Sequence, residues 1–249
     1  MARILIAGES WMTTSTHVKG VDEFSVHSYV EGVGPLRDAL TGSGHEVVHL
    51  PAHLVPTDFP EDAGALSAHD VVVLSDIGAN SIQLAPGVFE RSVPGKDRLR
   101  VLAEWVSDGG ALLMIGGYLS FSGFQARAAF RQTAIAEVLP VTMLAEDDRV
   151  ECPAGIHPSV LQADHPALGG AGTEWPLLLG YNRVVAKDGA EVPVRAGEDP
   201  LLVVGTYGAG RVAAFTSDCS PHWAPPAFCE DWPGYARLFD GLTRWLVRA

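Results

Sequence analysis

The chain has 249 residues, of which 47% are hydrophobic and 19% are charged, a composition typical of a globular protein with a sizeable core. Lys and Arg total 17 against 30 Asp and Glu, which gives a formal net charge of −13. This acidic balance repels a phosphate backbone and an anionic lipid surface, and it argues against nucleic acid or a membrane as a partner.

Cysteine usage and the first residues indicate the compartment. The three cysteines, Cys152, Cys219 and Cys229, are odd in number and form no CxxC pair, so a disulfide framework is not expected. The opening MARILIAGES turns polar too early for a signal-peptide core, and no apolar run has the length of a membrane span. We therefore expect a cytoplasmic protein.

The first half of the chain alternates strand and helix patterns. Short apolar runs predict buried strands at 3–7 (RILIA), 46–50 (EVVHL), 70–74 (DVVVL) and 111–115 (ALLMI). Apolar positions at helical spacing predict helices over Tyr29–Thr41 and Arg98–Ser107, each followed by glycines. Residues 10–28 show neither period, which favours an ordered loop that acts as a flap or a subunit contact. The alternation predicts a mostly parallel sheet with helices on both faces.

The second half predicts more strand than helix. Strands are expected within Pro140–Glu151 and Trp175–Val185, in a long excursion rich in Pro and Gly. Residues 201–207 (LLVVGTY) and 211–216 (RVAAFT) flank a Gly-Ala-Gly turn and predict a β-hairpin. A final helix is predicted at about Tyr235–Val247. Because no repeat or linker interrupts the chain, we expect a single domain over residues 1–249 with a β-rich insertion.

Four stretches carry a resemblance to a known family. They are RILIAGES at 3–10, SDIGAN at 75–80, GGALLMIGGYLSFSG at 109–123 and GAGRVAAFTSDCSPHW at 208–223. The chain resembles the class I glutamine amidotransferase-like superfamily, in particular a branch described as "putative glutamine amidotransferase". DHPALGG at 164–170 and the hairpin YGAGRVAAFTS are also similar to trehalose-utilisation proteins. The resemblance implies a flavodoxin-like, three-layer α/β/α sandwich.

The chain departs from that family at the position of the nucleophile. The resemblance implies a G-x-C-x-G turn after a strand, called the nucleophile elbow, and a His and a Glu later in the chain. Here residues 116–120 read GGYLS, so Tyr118 occupies the place of the cysteine, and the late His222 is not followed by a His-x-Glu pattern. A thiolate is needed to attack the glutamine amide, and a phenol with a pKa near ~10 does not replace it. We expect no glutaminase activity.

Polar and aromatic residues follow the predicted strands, at the edge where parallel sheets bind ligands. They are Glu9 and Trp11 after the first strand, Asp76 after the third, Tyr118 and Ser120 after the fourth, and Asp218, His222 and Trp223 after the hairpin. We assign catalytic roles to Asp218, His222, Glu9 and Tyr118, and ligand binding to Trp11, Asp76, Ser120 and Trp223. No G-x-G-x-x-G, HxH or HExxH pattern is present, so neither a cofactor nor a metal is expected.

Each candidate also has a structural explanation. Asp76 fits an Asx-turn or a cap, Glu9 could bind backbone N–H groups, and Tyr118 could be a half-buried aromatic. A strained elbow would give Tyr118 a positive φ, whereas a plain turn would let its ring pack into the core. A Ser120 nucleophile with His222 as base stays open, although G-x-S-x-G is not met.

Two functions remain open from the sequence. One is an enzyme that acts on a small polar or carbohydrate-like molecule through Asp218, His222 and Glu9. The other is a non-catalytic ligand-binding or assembly protein on the same fold. The aperiodic stretch 10–28 and the aromatic-rich stretch 217–235 offer more apolar loop surface than a monomer comfortably exposes. We therefore expect a homo-oligomer, a dimer.

Overall fold

The computed structural model describes residues 1–247. Its strands are β1 (Arg3–Gly8), β2 (Ser10–Lys19), β3 (Asp22–Glu31), β4 (Glu46–Leu50), β5 (Val71–Ser75), β6 (Ala111–Ile115), β7 (Val141–Met143), β8 (Arg149–Ile156), β9 (Pro158–Val160), β10 (Leu178–Asn182), β11 (Val184–Ala186), β12 (Glu191–Ala196), β13 (Asp199–Tyr207) and β14 (Gly210–Phe215). Its helices are α1 (Gly34–Gly42), α2 (Val55–Asp58), α3 (Ala63–Leu66), α4 (Ala79–Gln83), α5 (Pro86–Arg91), α6 (Arg98–Ser107), α7 (Ile135–Val138), α8 (Pro226–Cys229) and α9 (Gly234–Leu246).

One sheet of eight strands organises the molecule, in the order β4-β1-β5-β6-β14-β13-β12-β9. The strands from β4 to β14 in this order are parallel, and β13, β12 and β9 continue the sheet in antiparallel pairing. Every residue of β5 and β6 is buried. Such uninterrupted burial is typical of parallel strands that are covered on both faces.

Helices pack on both faces of this sheet. On one face, α1 and α9 contribute Leu36, Leu40, Leu238 and Leu242 to a buried cluster. On the other face, α6 contributes Leu99, Leu102 and Val106 to a second cluster, together with residues from the shorter helices α3, α4 and α7. The predicted flavodoxin-like α/β/α architecture with a mostly parallel central sheet is confirmed.

The predicted hairpin is confirmed as β13 and β14, and the predicted helices at 98–107 and near the C-terminus are confirmed as α6 and α9. The helix predicted over Tyr29–Thr41 begins five residues later, at Gly34, because Tyr29 and Val30 belong to β3 and pair with β2. Pro35 stands in the first turn of this helix, where proline is favoured.

The expectation of an ordered loop over residues 10–28 is wrong. Strands β2 and β3 pair antiparallel from Ser10↔Glu31 to Lys19↔Asp22 and form a hairpin of their own. We call this hairpin, Ser10–Glu31, the arm. Its residues beyond Ser10 are all exposed, and β2 carries Thr or Ser at all four positions from 13 to 16, so the arm as a whole lacks the sustained alternation that marks a half-buried strand. The strands were missed for this reason.

The two strands predicted in the second half are each divided in the structure. Residues 140–151 contain β7 and the start of β8, and residues 175–185 contain β10 and the start of β11. The break before β8 is made by Asp148, whose buried carboxylate accepts hydrogen bonds from the backbone N–H groups of Ser122 and Gly123 at 2.9 Å each. Strands β9 and β12 join the edge of the main sheet.

The helices within residues 1–247 do not include a membrane span. None of them combines the length and the apolar surface needed to cross a bilayer.

Gly8, the last residue of β1, controls how closely β1 approaches β5. Its φ is +107°, and a Cβ at this position would lie 2.0 Å from the carbonyl oxygen of Ser75. Gly109 has a similar φ of +120° but open space around it. The two glycines therefore separate the cost of an unusual backbone angle from the cost of a steric clash.

We predict that Gly8→Ala lowers the free energy of unfolding by about 3–5 kcal/mol, because it adds a clash to the backbone strain. Gly109→Ala should cost about 1–2 kcal/mol, which is the strain alone. Urea denaturation of both variants measures the difference. Equal losses in the two variants would contradict the close approach of β1 and β5.

Candidate functional site

The carboxyl ends of β1, β5, β6 and β14 lie side by side in the sheet. The residues that follow them surround a cavity of about 380 Å³. It is lined by Glu9, Trp11, Asp76, Tyr118, Asp218, Ser220, Pro221 and His222. Three of these residues carry carboxyl groups, and none of the eight is Lys or Arg.

Glu9 forms the floor of the cavity and is 1% exposed. The hydroxyl of Ser75 donates to its Oε2 at 2.5 Å, and the hydroxyl of Ser220 donates to its Oε1 at 2.7 Å. Burial raises the pKa of Glu9 to about 7, the neighbouring charge of Asp218 adds to the rise, and the serine donors oppose it. This carboxyl group therefore exchanges its proton near neutral pH.

Asp218 and His222 form a hydrogen-bonded pair on one wall. Oδ1 of Asp218 accepts from the backbone N–H groups of Cys219 at 2.7 Å and Ser220 at 3.2 Å, and Oδ2 lies 3.3 Å from Nδ1 of His222. Burial raises the pKa of Asp218 to about 8, with a further contribution from Asp76. The carboxyl group is buried and the imidazole is 40% exposed, so the pair runs from the interior to the cavity opening.

Asp76 ties the end of β5 to the turn after β6. Its Oδ1 accepts from the backbone N–H of Leu119 at 2.6 Å, and its own backbone N–H donates to the hydroxyl of Ser120 at 3.2 Å. Burial raises the pKa of Asp76 to about 6, and the charge of Glu9 adds to the rise. Asp76 thus serves as a loop anchor rather than as a cap for the helix that follows it.

Backbone strain in the site falls on two of the carboxyl residues. Glu9 and Asp76, each directly after a strand, have φ values of +50° and +41°. Such angles cost about 1–3 kcal/mol in a residue other than glycine and tend to persist at functional sites. Tyr118 has no positive φ, and Gly117 before it takes the unusual angle of +149°. The strained elbow considered for Tyr118 is not observed.

Tyr118 is nevertheless not packed away in the core. It is partly exposed, its ring meets His222 edge-on at 4.4 Å between centroids, and its hydroxyl donates to Oε1 of Glu151 at 3.0 Å. Nε1 of Trp223 donates to Oε2 of the same Glu151 at 3.0 Å. Burial raises the pKa of Tyr118, and Glu151 adds to the rise. Tyr118 is an anchored wall of the cavity, and its phenol stays protonated at neutral pH.

The structure therefore brings most of the predicted site residues together. Glu9, Trp11, Asp76, Tyr118, Asp218 and His222 line the cavity, whereas Ser120 and Trp223 are buried behind its wall. Ser220 was not predicted from the sequence, although it follows β14 in the same stretch as Asp218. Glu151 was not predicted either, since it reaches the site from β8 and carries no local sequence signal. The catalytic and binding roles of these residues stay predictions.

One cluster beside the cavity holds side chains of the types that bind metal ions. Within residues 1–247, one group of three metal-capable side chains, Glu9, Asp218 and Cys219, has ligand atoms within 4.8 Å of one another. Burial raises the pKa values of both carboxyl groups and raises that of the Cys219 thiol well above its ordinary range. A cation would have to displace these protons.

Two larger clefts lie away from the strand ends. One, of about 490 Å³, lies between α1 and the start of α9, and the other, of about 620 Å³, lies beside the first residue of β1 and the end of α6. The acidic residues that line them are exposed or partly exposed, as at Asp38, Glu230, Asp70 and Asp108. The cavity at the strand ends differs from both because three carboxyl groups converge there and two of them, Glu9 and Asp218, are buried.

Comparison with known proteins relates the chain to a family and to solved structures. The family model described as "Putative glutamine amidotransferase" matches residues 3–248. No curated protein matches the chain. The cytoplasmic proteins STM3548 from Salmonella typhimurium and STM1381 from Salmonella typhimurium LT2 are each 43% identical, with TM-scores of 0.94 and 0.93. The alignments cover 98% of this chain and 98% and 99% of theirs.

A more distant structure shares the fold alone. A ThuA-like protein from Parabacteroides merdae ATCC 43184 is 13% identical, with a TM-score of 0.56 over 98% of this chain and 89% of its own. This agrees with the similarity to trehalose-utilisation proteins seen in the sequence.

Protonation of Glu9 has a testable effect on stability. The folded state holds this proton up to a pKa of about 7, whereas the unfolded chain releases it near ~4.3. Between these two pKa values the folded protein binds more protons than the unfolded chain, which stabilises the fold. This stabilisation is fully present below the unfolded pKa and is lost as the pH rises through the folded pKa of about 7. Glu9→Gln removes the loss, so its stability relative to wild type should rise by about 3 kcal/mol between pH 4.5 and 8.

Denaturation curves across this pH range measure the effect, with Glu23→Gln on the exposed arm as the control for removing one carboxylate. The same pH dependence in both variants would contradict the buried, protonated state of Glu9.

Proposed function

Because the chain belongs to the "putative glutamine amidotransferase" family yet carries Tyr118 in place of the elbow cysteine, we propose that it uses the pocket without a thiol. The proposed ligand is a small polar, carbohydrate-like molecule with several hydroxyl groups. The proposed chemistry is proton transfer by Asp218, His222 and Glu9.

The observation that carries this proposal is the charge of the cavity lining. Glu9, Asp76 and Asp218 converge there, and the lining contains no Lys or Arg. Arg149 lies over the ring of Tyr118, 4.7 Å from its centroid, but does not line the cavity. An anionic substrate such as a sugar phosphate would meet carboxylates and no compensating cation. A neutral molecule would meet protonated carboxyl groups that donate hydrogen bonds and an ionised one that accepts them, which suits vicinal hydroxyl groups.

Aromatic rings support the same ligand class. Tyr118, Trp11 and His222 line the cavity, and Tyr118 is held by its bond to Glu151. A fixed ring offers an apolar face at a small cost in conformational entropy. Such a face suits the C–H surface of a sugar ring, while the carboxyl groups bind its hydroxyls.

The pair of Asp218 and His222 supports proton transfer. Nδ1 of His222 lies against the Asp218 carboxyl group, which fixes the orientation and tautomer of the ring. Nε2 makes no hydrogen bond to the residues described, 1–247, and the ring lines the cavity. Once Asp218, whose pKa is about 8, is ionised, it accepts a hydrogen bond from Nδ1–H and leaves Nε2 able to accept a proton from a substrate hydroxyl. Glu9, with a pKa of about 7, can donate or accept a proton at neutral pH.

The same contacts argue against the family's glutaminase reaction. Cys219 is fully buried and Cys229 is 5% exposed, and burial raises the pKa of both thiols. A protonated thiol with no access to the cavity does not attack an amide. The two Salmonella relatives are described as cytoplasmic proteins, and we propose the same compartment for this chain.

Ligand class is tested by thermal shift against neutral sugars and polyols, each paired with its phosphorylated form. We predict that the midpoint temperature rises with neutral ligands and not with the phosphates, because the carboxyl groups repel the added charge. Asp76→Asn should reduce the difference in midpoint temperature between each neutral ligand and its phosphorylated form, because it removes the carboxyl group that is most ionised at pH 7. Stabilisation by the phosphates alone would contradict the proposed ligand class.

Catalysis is tested by screening the stabilising ligands for conversion. His222→Ala should lower turnover by about 10²–10⁴-fold, the usual worth of a positioned acid–base group. His157→Ala, an exposed histidine outside the cavity, is the control and should keep full activity. Binding without turnover in the wild type would instead favour the non-catalytic ligand-binding protein.

Glutamine hydrolysis should be absent. Ammonia release from glutamine should not exceed the blank for the wild type, since the elbow lacks a thiol. Release above the blank by the wild type would contradict this prediction. Its loss in Cys219→Ser or Cys229→Ser would assign the attack to that thiol, and its persistence in both variants would assign it to another group.

A further inference from the structure

The arm is exposed beyond Ser10 and is not packed under other elements of residues 1–247. Its two strands pair only with each other, so the outer edges of both β2 and β3 are unpaired. The arm holds fewer than a tenth of the residues but half of the large apolar side chains that are exposed within residues 1–247. An isolated two-stranded hairpin is marginally stable in water. We therefore expect another molecule to cover the apolar surface of the arm.

The pairing register divides the arm into two faces, because directly paired side chains point to the same side of a sheet. One face carries the pairs Trp11↔Val30, Ser15↔Val26 and His17↔Phe24, and ends at Lys19↔Asp22. We call it the Phe24 face. The opposite face carries Met12↔Tyr29 and Val18↔Glu23.

Contacts and charge distinguish the two faces. On the opposite face, Tyr29 already meets His53 of the same chain at 5.2 Å. That face also carries Glu23 and Glu31, so packing it on itself would bring carboxylates together. The Phe24 face has one charge of each sign, at Lys19 and Asp22, and apolar side chains at Trp11, Phe24, Val26 and Val30.

The arm is shared with the relatives of known structure. The alignments to the two Salmonella proteins leave only 2% of this chain uncovered, and the arm is several times longer than that. The hairpin is therefore a feature common to these proteins and not an addition to this one.

We propose that the Phe24 face docks on the Phe24 face of a second copy of this chain, about a two-fold axis. In an antiparallel arrangement the middle pair, Ser15↔Val26, lies opposite itself. The tip of each arm then lies at the root of the other. This interface does not depend on the proposed function.

Charge complementarity favours this occupant. Within residues 1–247, Lys19 forms no salt bridge with a carboxylate, and its Nζ lies 5.6 Å from the centroid of the Phe24 ring. In the two-fold arrangement the partner's Lys19 lies beside Trp11, which lines the cavity with Asp76. The tip also carries Asp22 beside Lys19, and the longer Lys19 side chain can reach the acidic rim of the other copy. The second copy also covers Trp11, which is 40% exposed in a single chain.

The size of the Phe24 face determines how tightly we expect the two copies to associate. It supplies ten residues from each copy, against roughly 20–30 per side in a standard interface. The rim of the cavity, where Leu119 is 39% exposed, would add to it. We therefore expect a dimer that dissociates upon dilution into the micromolar range.

Light scattering after gel filtration, from about 1 to 100 µM, tests the proposal. The wild type should approach twice the chain mass of 26.4 kDa as concentration rises. Val26→Asp should stay monomeric, because it buries a charge at the two-fold axis. Ser25→Asp places the same charge on the adjacent residue of the opposite face and should dimerise as the wild type does. Both positions are exposed, and circular dichroism checks that both variants fold.

Cross-linking tests the geometry separately. Val26→Cys should form an intermolecular disulfide under mild oxidation faster than Ser25→Cys. A monomeric wild type at 100 µM, equal dissociation by the two aspartates, or equal cross-linking by the two cysteines would overturn the proposal.

Discussion

Three carboxyl groups converge at the carboxyl edge of the sheet without a Lys or Arg to neutralise them, and the character of the site follows from this. Desolvation and mutual repulsion raise the pKa values of Asp76, Glu9 and Asp218 to about 6, 7 and 8. Because charged groups so close together cannot all ionise at neutral pH, the pocket contains proton donors and proton acceptors at once. The proposed preference for hydroxyl groups over anions rests on this mixture of protonated and ionised groups.

The fold creates this convergence through backbone geometry. Gly8 allows β1 to approach β5 closely, and the left-handed conformations of Glu9 and Asp76 turn the chain at the two strand ends. The serine hydroxyls around Glu9 limit its pKa shift without removing it. At the end of β6, Tyr118 forms a wall of the cavity, and the proposed function assigns proton transfer to Glu9 and to the loop after β14.

The sequence predicts the parts of this structure that are encoded locally. Apolar runs bounded by glycine indicate the parallel strands, and the rule that ligands bind at strand ends is enough to group Glu9, Asp76, Tyr118, Asp218 and His222. The arm could not be found this way, because the run of Thr and Ser at 13–16 interrupts the apolar pattern of β2 on both faces. Glu151 was missed because its role depends on a long-range contact from β8, which local patterns do not record. The strain at Glu9 and Asp76 also arises from tertiary packing.

The most direct test of the buried carboxyl groups is a pH titration of their carboxyl carbons by ¹³C NMR, assigned with Glu9→Gln, Asp76→Asn and Asp218→Asn. We predict that all three titrate above pH 5, in steps shared by the group, and that Asp76→Asn lowers the pKa values of Glu9 and Asp218, because Asp76 is the first of the three to become charged. Titration of all three near ~4, each unaffected by the other substitutions, would contradict this prediction.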